Sequence, residues 1–195
     1  MNTPFEIRPA MPADAPDLAK LVVIAGEGMP LIVWDGMRTP GESVWDVGAR
    51  RAAGTEGAFS YRNADVALSD GAICAAVVSY ALPADAMPDD PGAAPPLFRP
   101  LVALENRVRG TWYVNVLASY PSARRRGAGT ALVSAAAARA HAAGYDRLSL
   151  ITADVNPARR LYSRLGFAEL DRAPIVKDGW DHPGRDWVLM AQPAA

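Results

Sequence analysis

The chain predicts a single domain of the mixed α/β (α+β) class, built on a mixed sheet, and three observations carry that reading. Its 195 residues, half of them hydrophobic and 21% charged, suit one ordinary core. Strand-like and helix-like stretches alternate through the second half. Two apolar runs also meet across Ser69-Asp70-Gly71, a hairpin signal that puts antiparallel pairs beside any parallel ones. The expected domain spans residues 1–195, with a Pro-rich insertion at about 83–100.

The elements follow in order. Residues 5–8 alternate like a strand and stop at Pro9. Pro12 suits the first turn of a helix, Asp14 suits its positive end, and Leu18, Leu21, Val22 and Ala25 recur at helical spacing up to Gly26. Met11 stands where a Ser or Thr cap would serve better. Residues 27–40 read as irregular, and a short helix is expected over 43–53, ended by Gly54. Strands are expected at 64–68 and 72–81, the second nearly all apolar and so central in the sheet. Residues 83–100 hold six prolines and read as a loop, a lid or partner surface on one reading and a solvated insertion on the other. Beyond it come a strand at 111–118, an Ala-rich helix at 129–143 closed by Gly144, and a strand at 147–153. A helix at 157–165 closed by Gly166 and strands at 168–173 and 186–190 complete the order.

Composition excludes several classes. With 20 basic and 21 acidic side chains the net charge is −1, so neither nucleic acid nor an anionic membrane is an expected partner. One cysteine, Cys74, can make neither an internal disulfide nor a Cys-rich metal site, which points to a reducing, cytoplasmic location. The N-terminal residues show no leader pattern, and no apolar run approaches the roughly 20 residues of a membrane span.

The most informative segment lies between the strand at 111–118 and the helix after it. Arg124, Arg125, Arg126, Gly127, Ala128, Gly129 and Thr130 put small residues at a helix N-terminus, where amides lack partners and the dipole favours an anion. Three arginines beside them supply charge for a polyanion. Read alone, a glycine-rich turn is a weak signal and an arginine triplet is ordinarily solvated surface. It also lacks the Gly-Lys-Ser/Thr ending of a P-loop and the third glycine of a dinucleotide fold. A second segment follows a later strand: Asn156, then Leu161-Tyr162, then Gly166-Phe167.

Together these segments resemble the acetyl-CoA-binding motifs of the GNAT superfamily of N-acetyltransferases. Arg124, Gly127 and Gly129 match its pyrophosphate loop; Asn156, Leu161-Tyr162 and Gly166-Phe167 match its later signature. Ile7-Arg8-Pro9-Ala10 and the helix after it look like the superfamily's first strand and helix, so the resemblance spans nearly the whole chain. It implies the GNAT fold, a central, mostly antiparallel sheet splayed between two parallel strands and flanked by helices.

The resemblance also implies roles. Acetyl-CoA, the acyl donor, would lie between the two parallel strands, its pantetheine arm along the backbone of Leu117, Ala118 and Ser119 and its pyrophosphate on residues 124–130. Asn156 would contact it. Tyr162 would protonate the departing thiolate, a role a positioned phenol can fill; the ordinary alternative is a packed tyrosine with a structural hydrogen bond. No metal is implied.

The general base stays open. Tyr113 stands where some family members carry Glu, and the strand at 147–153 holds no carboxylate. Deprotonation falls to water or to a carboxylate from elsewhere, Glu27, Asp35 or Glu105, each of which ordinarily reads as surface charge. Tyr113 and Asn115 share one strand face, expected to meet the acceptor. Residues 27–45, the Pro-rich insertion and the last hairpin are the expected specificity elements. Glu27, Met29 and Trp34 are candidate acceptor contacts, while Trp45, Trp112 and Trp180 are pocket aromatics or ordinary core. His141 on a helix and His182 in a loop carry little.

The expected activity is acetyl transfer from acetyl-CoA to a primary amine of a small molecule, by a monomer or homodimer. Alternatives are acetylation of a protein N-terminus or lysine, and a non-catalytic acyl-CoA sensor.

Overall fold

The structure is a computed structural model and describes residues 5–193. Residues 1–4, where the absence of a leader pattern begins, lie outside the described residues. In chain order the elements are β1 (Glu6–Pro9), α1 (Ala15–Ala25), α2 (Met29–Asp35), α3 (Val44–Ala53), β2 (Ala64–Ser69) and β3 (Ala72–Leu82). Then come α4 (Arg99–Glu105), β4 (Thr111–Ser119), α5 (Ala128–Ala142), β5 (Arg147–Ala153), α6 (Arg159–Arg164), β6 (Ala168–Pro174) and β7 (Asp186–Pro193). The strands run β1-β2-β3-β4-β5-β7-β6 in one seven-stranded sheet. β4 and β5 are parallel, with Trp112, Tyr113 and Val114 opposite Leu148, Ser149 and Leu150. The pairs β1–β2, β2–β3, β5–β7 and β6–β7 are antiparallel. This is the mixed, mostly antiparallel sheet flanked by helices that the sequence leads one to expect.

The chain divides into two compact units. One holds the residues up to Ser79 with Asn115–Ala136; the other holds Tyr80–Val114 with the residues from Ala137 on.

In the first unit, α1 buries Leu18 and Leu21 in one apolar cluster with Val66 of β2 and Val78 of β3. Each such side chain contributes about 1.5–3 kcal/mol of burial. The β2–β3 hairpin turns through Asp70 at φ 54° and Gly71 at φ 77°, two left-handed residues that match the strand twist. The weak cap at Met11 is rescued from within the turn. Asp14 accepts the Met11 amide at 2.8 Å and the Arg8 guanidinium at 2.7 and 3.0 Å, so its buried carboxylate is satisfied on both sides. α3 starts as expected at its Ser43 cap.

The irregular stretch expected at 27–40 is corrected: it contains α2. Its Pro30 occupies the first helical turn, where the missing amide costs nothing, so here proline opens a helix rather than breaking one.

In the second unit, β5 pairs with β7 along its full length, from Arg147↔Pro193 to Ala153↔Trp187. Thr111 and Ser149, both fully buried, satisfy each other across β4 and β5 at 2.7 Å, and Thr111 also donates to the Val108 carbonyl at 2.6 Å. The expectation that residues 83–100 form an unpacked loop is also corrected. Short 3-10 turns occupy Pro91–Ala93 and Pro96–Phe98, Leu97 is buried, and α4 begins at Arg99 with Pro100 in its first turn. α6 is shorter than expected because the Asn156 side chain takes the Ala158 amide at 2.8 Å, which leaves Pro157 and Ala158 in a turn. Among the described residues, no helix is long and apolar enough to cross a membrane.

Candidate active site

The glycine-rich loop belongs to the first unit. Its entry is fixed at Tyr120, whose amide donates to the Cys74 carbonyl at 2.9 Å and whose hydroxyl donates to Asp17 Oδ1 at 2.5 Å. A 3-10 turn over Pro121–Ala123 follows, and then the backbone turns left-handed at Arg125 (φ 61°) and Gly127 (φ 98°). A left-handed arginine is uncommon and marks a loop shape that its surroundings impose. The Gly127 carbonyl accepts the first α5 bond, from the Ala131 amide at 3.1 Å. A Cβ on Gly127 would have no atom within 4 Å, so glycine is needed for the backbone angle and leaves its face open to a ligand. Arg124, Arg125 and Arg126 are exposed, and Arg126 lies 5.7 Å from the centre of the Phe5 ring. Open small residues, exposed arginines and the N-terminus of a 15-residue helix fit a pyrophosphate. Leu117 and Ser119 are half-buried and Ala118 is buried; Ala128 is buried, Gly129 half-buried and Thr130 exposed.

The second unit gathers four ionisable groups. Tyr162 on α6 is 6% exposed and packs edge-on against Phe167 at 5.9 Å. Burial pushes its phenol up to about 12, so it stays protonated at neutral pH. Tyr113 on β4 is 2% exposed and lies edge-on to Tyr80 of β3 at 5.7 Å between ring centres. Burial raises Tyr113 far above an ordinary phenol, and Glu105, Tyr80 and Tyr162 raise it further. Glu105, the last residue of α4, is half-buried. Burial lifts its carboxyl to about 7; the Tyr113 hydroxyl and Arg109 pull it down, and Asp89 adds to the rise. Burial, with Glu105 and Asp89 nearby, holds Tyr80 protonated as well. The cluster thus offers phenol donors beside a carboxylate that changes charge near neutrality.

The Pro-rich insertion is tied to the end of α4. Arg109 donates to the Met87 carbonyl at 2.7 Å and reaches Asp89 at 3.5 Å. Asn106 pairs with the Asp89 backbone in both directions, at 3.1 and 2.8 Å.

Of the three carboxylates left open by the sequence, Glu105 alone stands in this cluster. Asp35 is exposed and ion-paired with Arg38 at 2.9 Å, and Glu27 is exposed at a left-handed turn. Met29 and Trp34 are buried; Trp34 stacks on Phe59 at 5.9 Å, a packing position. Asn115 is exposed. Trp112 lies beneath Arg139 and edge-on to Tyr145, and Trp180 stacks on His182 at 4.2 Å and on Trp187 at 5.8 Å. These too are core positions, and His182 is buried with them; Trp45 is exposed. Asn156 shapes the turn before α6. The sequence reading does not single out Tyr80, which carries no signal beyond its place on a strand.

The sequence model of the acetyltransferase (GNAT) family matches residues 55–167. No curated protein matches the chain significantly. Solved structures share the fold. A crystal structure of an acetyltransferase is 23% identical with a TM-score of 0.67, over 97% of this chain and 100% of that one. A polyamine N-acetyltransferase from Drosophila melanogaster, which forms N-acetylagmatine, is 17% identical with a TM-score of 0.61, over 97% and 99%. The ribosomal-protein-S18-alanine N-acetyltransferase from Escherichia coli is 17% identical with a TM-score of 0.59, over 98% and 94%. With the family match covering more than half of its length, the chain belongs to the acetyltransferase (GNAT) family.

Proposed function

We propose that this is a cytoplasmic N-acetyltransferase that moves the acetyl group of acetyl-CoA to a primary amine on a small molecule. The observation that carries the reading is Tyr162, a buried phenol kept protonated beside other ionisable groups, at the family's thiolate-protonating position. Residues 124–130 would hold the pyrophosphate and Asn156 would contact the donor. In the reaction the neutral amine attacks the thioester carbonyl, polarised by backbone amides. The C–N bond forms, the C–S bond breaks and the thiolate takes the Tyr162 proton; the nitrogen gives up its extra proton to water, and Tyr162 regains one from water. A small acceptor is favoured by the near balance of 20 basic and 21 acidic side chains, which does not single out a charged peptide as partner.

The test has two stages. CoA should raise the melting temperature while NAD leaves it unchanged, and acetyl-CoA with a panel of primary amines should release free thiol. Stabilisation by CoA with no thiol release from any amine would make the chain an acyl-CoA sensor instead.

A further inference from the structure

We propose that Arg159 positions Tyr162 for proton donation by pinning the first turn of α6 to the end of β5 and to β6. The proposal rests on the acetyltransferase reading above, with Tyr162 as the group that protonates the thiolate.

α6 has little else to hold it. It is six residues long, too short for a helix to be stable on its own, and its N-cap, Ala158, has no side-chain bond to offer. Of its residues Tyr162 alone is buried, so the main apolar anchor of the helix is the very ring that must be aimed. The polar anchor is Arg159, the first residue of α6, three positions before Tyr162 and therefore on the same side of the helix. A cation at a helix start is disfavoured by the helix dipole, so its place there calls for partners. It has two. Arg159 Nη1 donates to the Asp154 carbonyl at 3.0 Å, and Nη2 donates to Glu169 Oε2 of β6 at 3.0 Å. The planar guanidinium makes both bonds at once with fixed geometry.

The anchor points are themselves held. Asp154 follows β5; its amide donates to the Asp186 carbonyl of β7 at 2.9 Å, and its Oδ1 accepts the Arg185 amide at 3.1 Å. A Cβ on Gly184 would lie 2.9 Å from that Oδ1 and 2.7 Å from His182 Cε1, so the chain before β7 closes on Asp154 with no room for a side chain. Glu169 is gripped by Arg172 as well, at 2.6 and 2.9 Å. The amide, carbonyl and carboxylate of Asp154 are thus all engaged, and Arg159 hangs α6 from a fixed point. Proton donation needs such a fixture, because a misplacement of about 1 Å can cost ~10²-fold in rate. In this role Arg159 acts through Tyr162 and not on the reacting atoms.

The experiment compares wild type, Arg159→Met, Glu169→Gln, Tyr162→Phe and the double variant Arg159→Met/Tyr162→Phe, with acetyl-CoA and a panel of primary alkylamines. Acetyl-CoA affinity by calorimetry and melting temperature are measured alongside. Arg159→Met removes both donations; it should hold acetyl-CoA affinity and lose about tenfold or more in kcat. Glu169→Gln keeps an oxygen to accept the bond and should lose less; if Arg159→Met does not fold, it takes that variant's place, alone and with Tyr162→Phe. In the Tyr162→Phe background no proton donor remains to aim. There Arg159→Met should change kcat by less than about twofold, whereas a merely structural role would multiply the two losses. Both single variants at wild-type kcat, or multiplied losses in the double variant, overturn the positioning role and leave the acetyltransferase standing. Tyr162→Phe at wild-type kcat overturns the proton donor and the positioning with it. A wild type that binds acetyl-CoA but acetylates no amine overturns the activity and both roles.

Discussion

The Tyr113 ring of β4 lies edge-on to the Tyr80 ring of β3, 5.7 Å between centres, so a buried phenol and a half-buried one meet across the sheet. Burial holds both phenols and Tyr162 protonated, and lifts the carboxyl of Glu105, at the end of α4, to about 7.

Burying Glu105 has a stability signature of its own. Its folded titration point, about 7, lies above the ordinary carboxylate value of 4.5, so the native state binds the extra proton between those pH values. Stability should therefore fall as pH rises through that window and stay lower above it. Glu105→Gln, which carries no charge, should lack this slope and melt a few degrees higher than wild type at pH 8, since about 1 kcal/mol moves Tm by about 2–4 °C in a chain of this size. Calorimetric melts at pH 5 and pH 8 check it; equal slopes in both proteins would place Glu105 in water.

Asp14 behaves in the opposite sense. Its bonds to Arg8, and then to the Met11 amide, outweigh burial and hold its carboxyl below the ordinary value of 3.8. The stability it contributes is present above about pH 4 and is lost as pH falls below that. Asp14→Asn should cost about 1–3 kcal/mol at pH 7, and the cost should shrink as pH falls below about 4, as measured by urea unfolding.

Much of this fold could be read from the residues, and the misreadings share one cause. β5 matches its expected bounds, because Arg147 to Ala153 is a short apolar run between a helix-ending Gly144 and the Asn156 turn. α3 follows from the Ser43 cap and Gly54. α2 and α4 were hidden because Pro30 and Pro100 read as breakers, when each sits in a first helical turn. Without α4, Glu105 reads as surface charge like the other two open carboxylates, Glu27 and Asp35. Its partial burial depends on tertiary packing that no local pattern encodes. The loop at 124–130 was legible because its chemistry is written in adjacent residues.

Gly127 tests that loop. At φ 98° a β-branched residue is strained by about 1–2 kcal/mol even though no atom crowds the position, and it would intrude on the open face. Gly127→Val should weaken acetyl-CoA binding about tenfold or more by calorimetry, with the melting temperature lowered only modestly. Unchanged affinity would move the pyrophosphate elsewhere.

Tyr162→Phe keeps the ring against Phe167 and removes the proton donor. Acetyl-CoA affinity should hold while kcat falls by about 10² to 10⁴-fold. A structural hydroxyl would instead show a lower Tm, by the loss of about 1 kcal/mol, with kcat intact.

The central claim is that an acetyl group passes from acetyl-CoA to an amine nitrogen on this chain. Mass spectrometry of reactions with acetyl-CoA and the alkylamine panel, with free thiol counted in parallel, tests it most directly. The account predicts one N-acetylated amine for each thiol released, at a rate that Tyr162→Phe depresses. Thiol release without any acetylated amine, or acetyl-CoA binding with neither product, would contradict it.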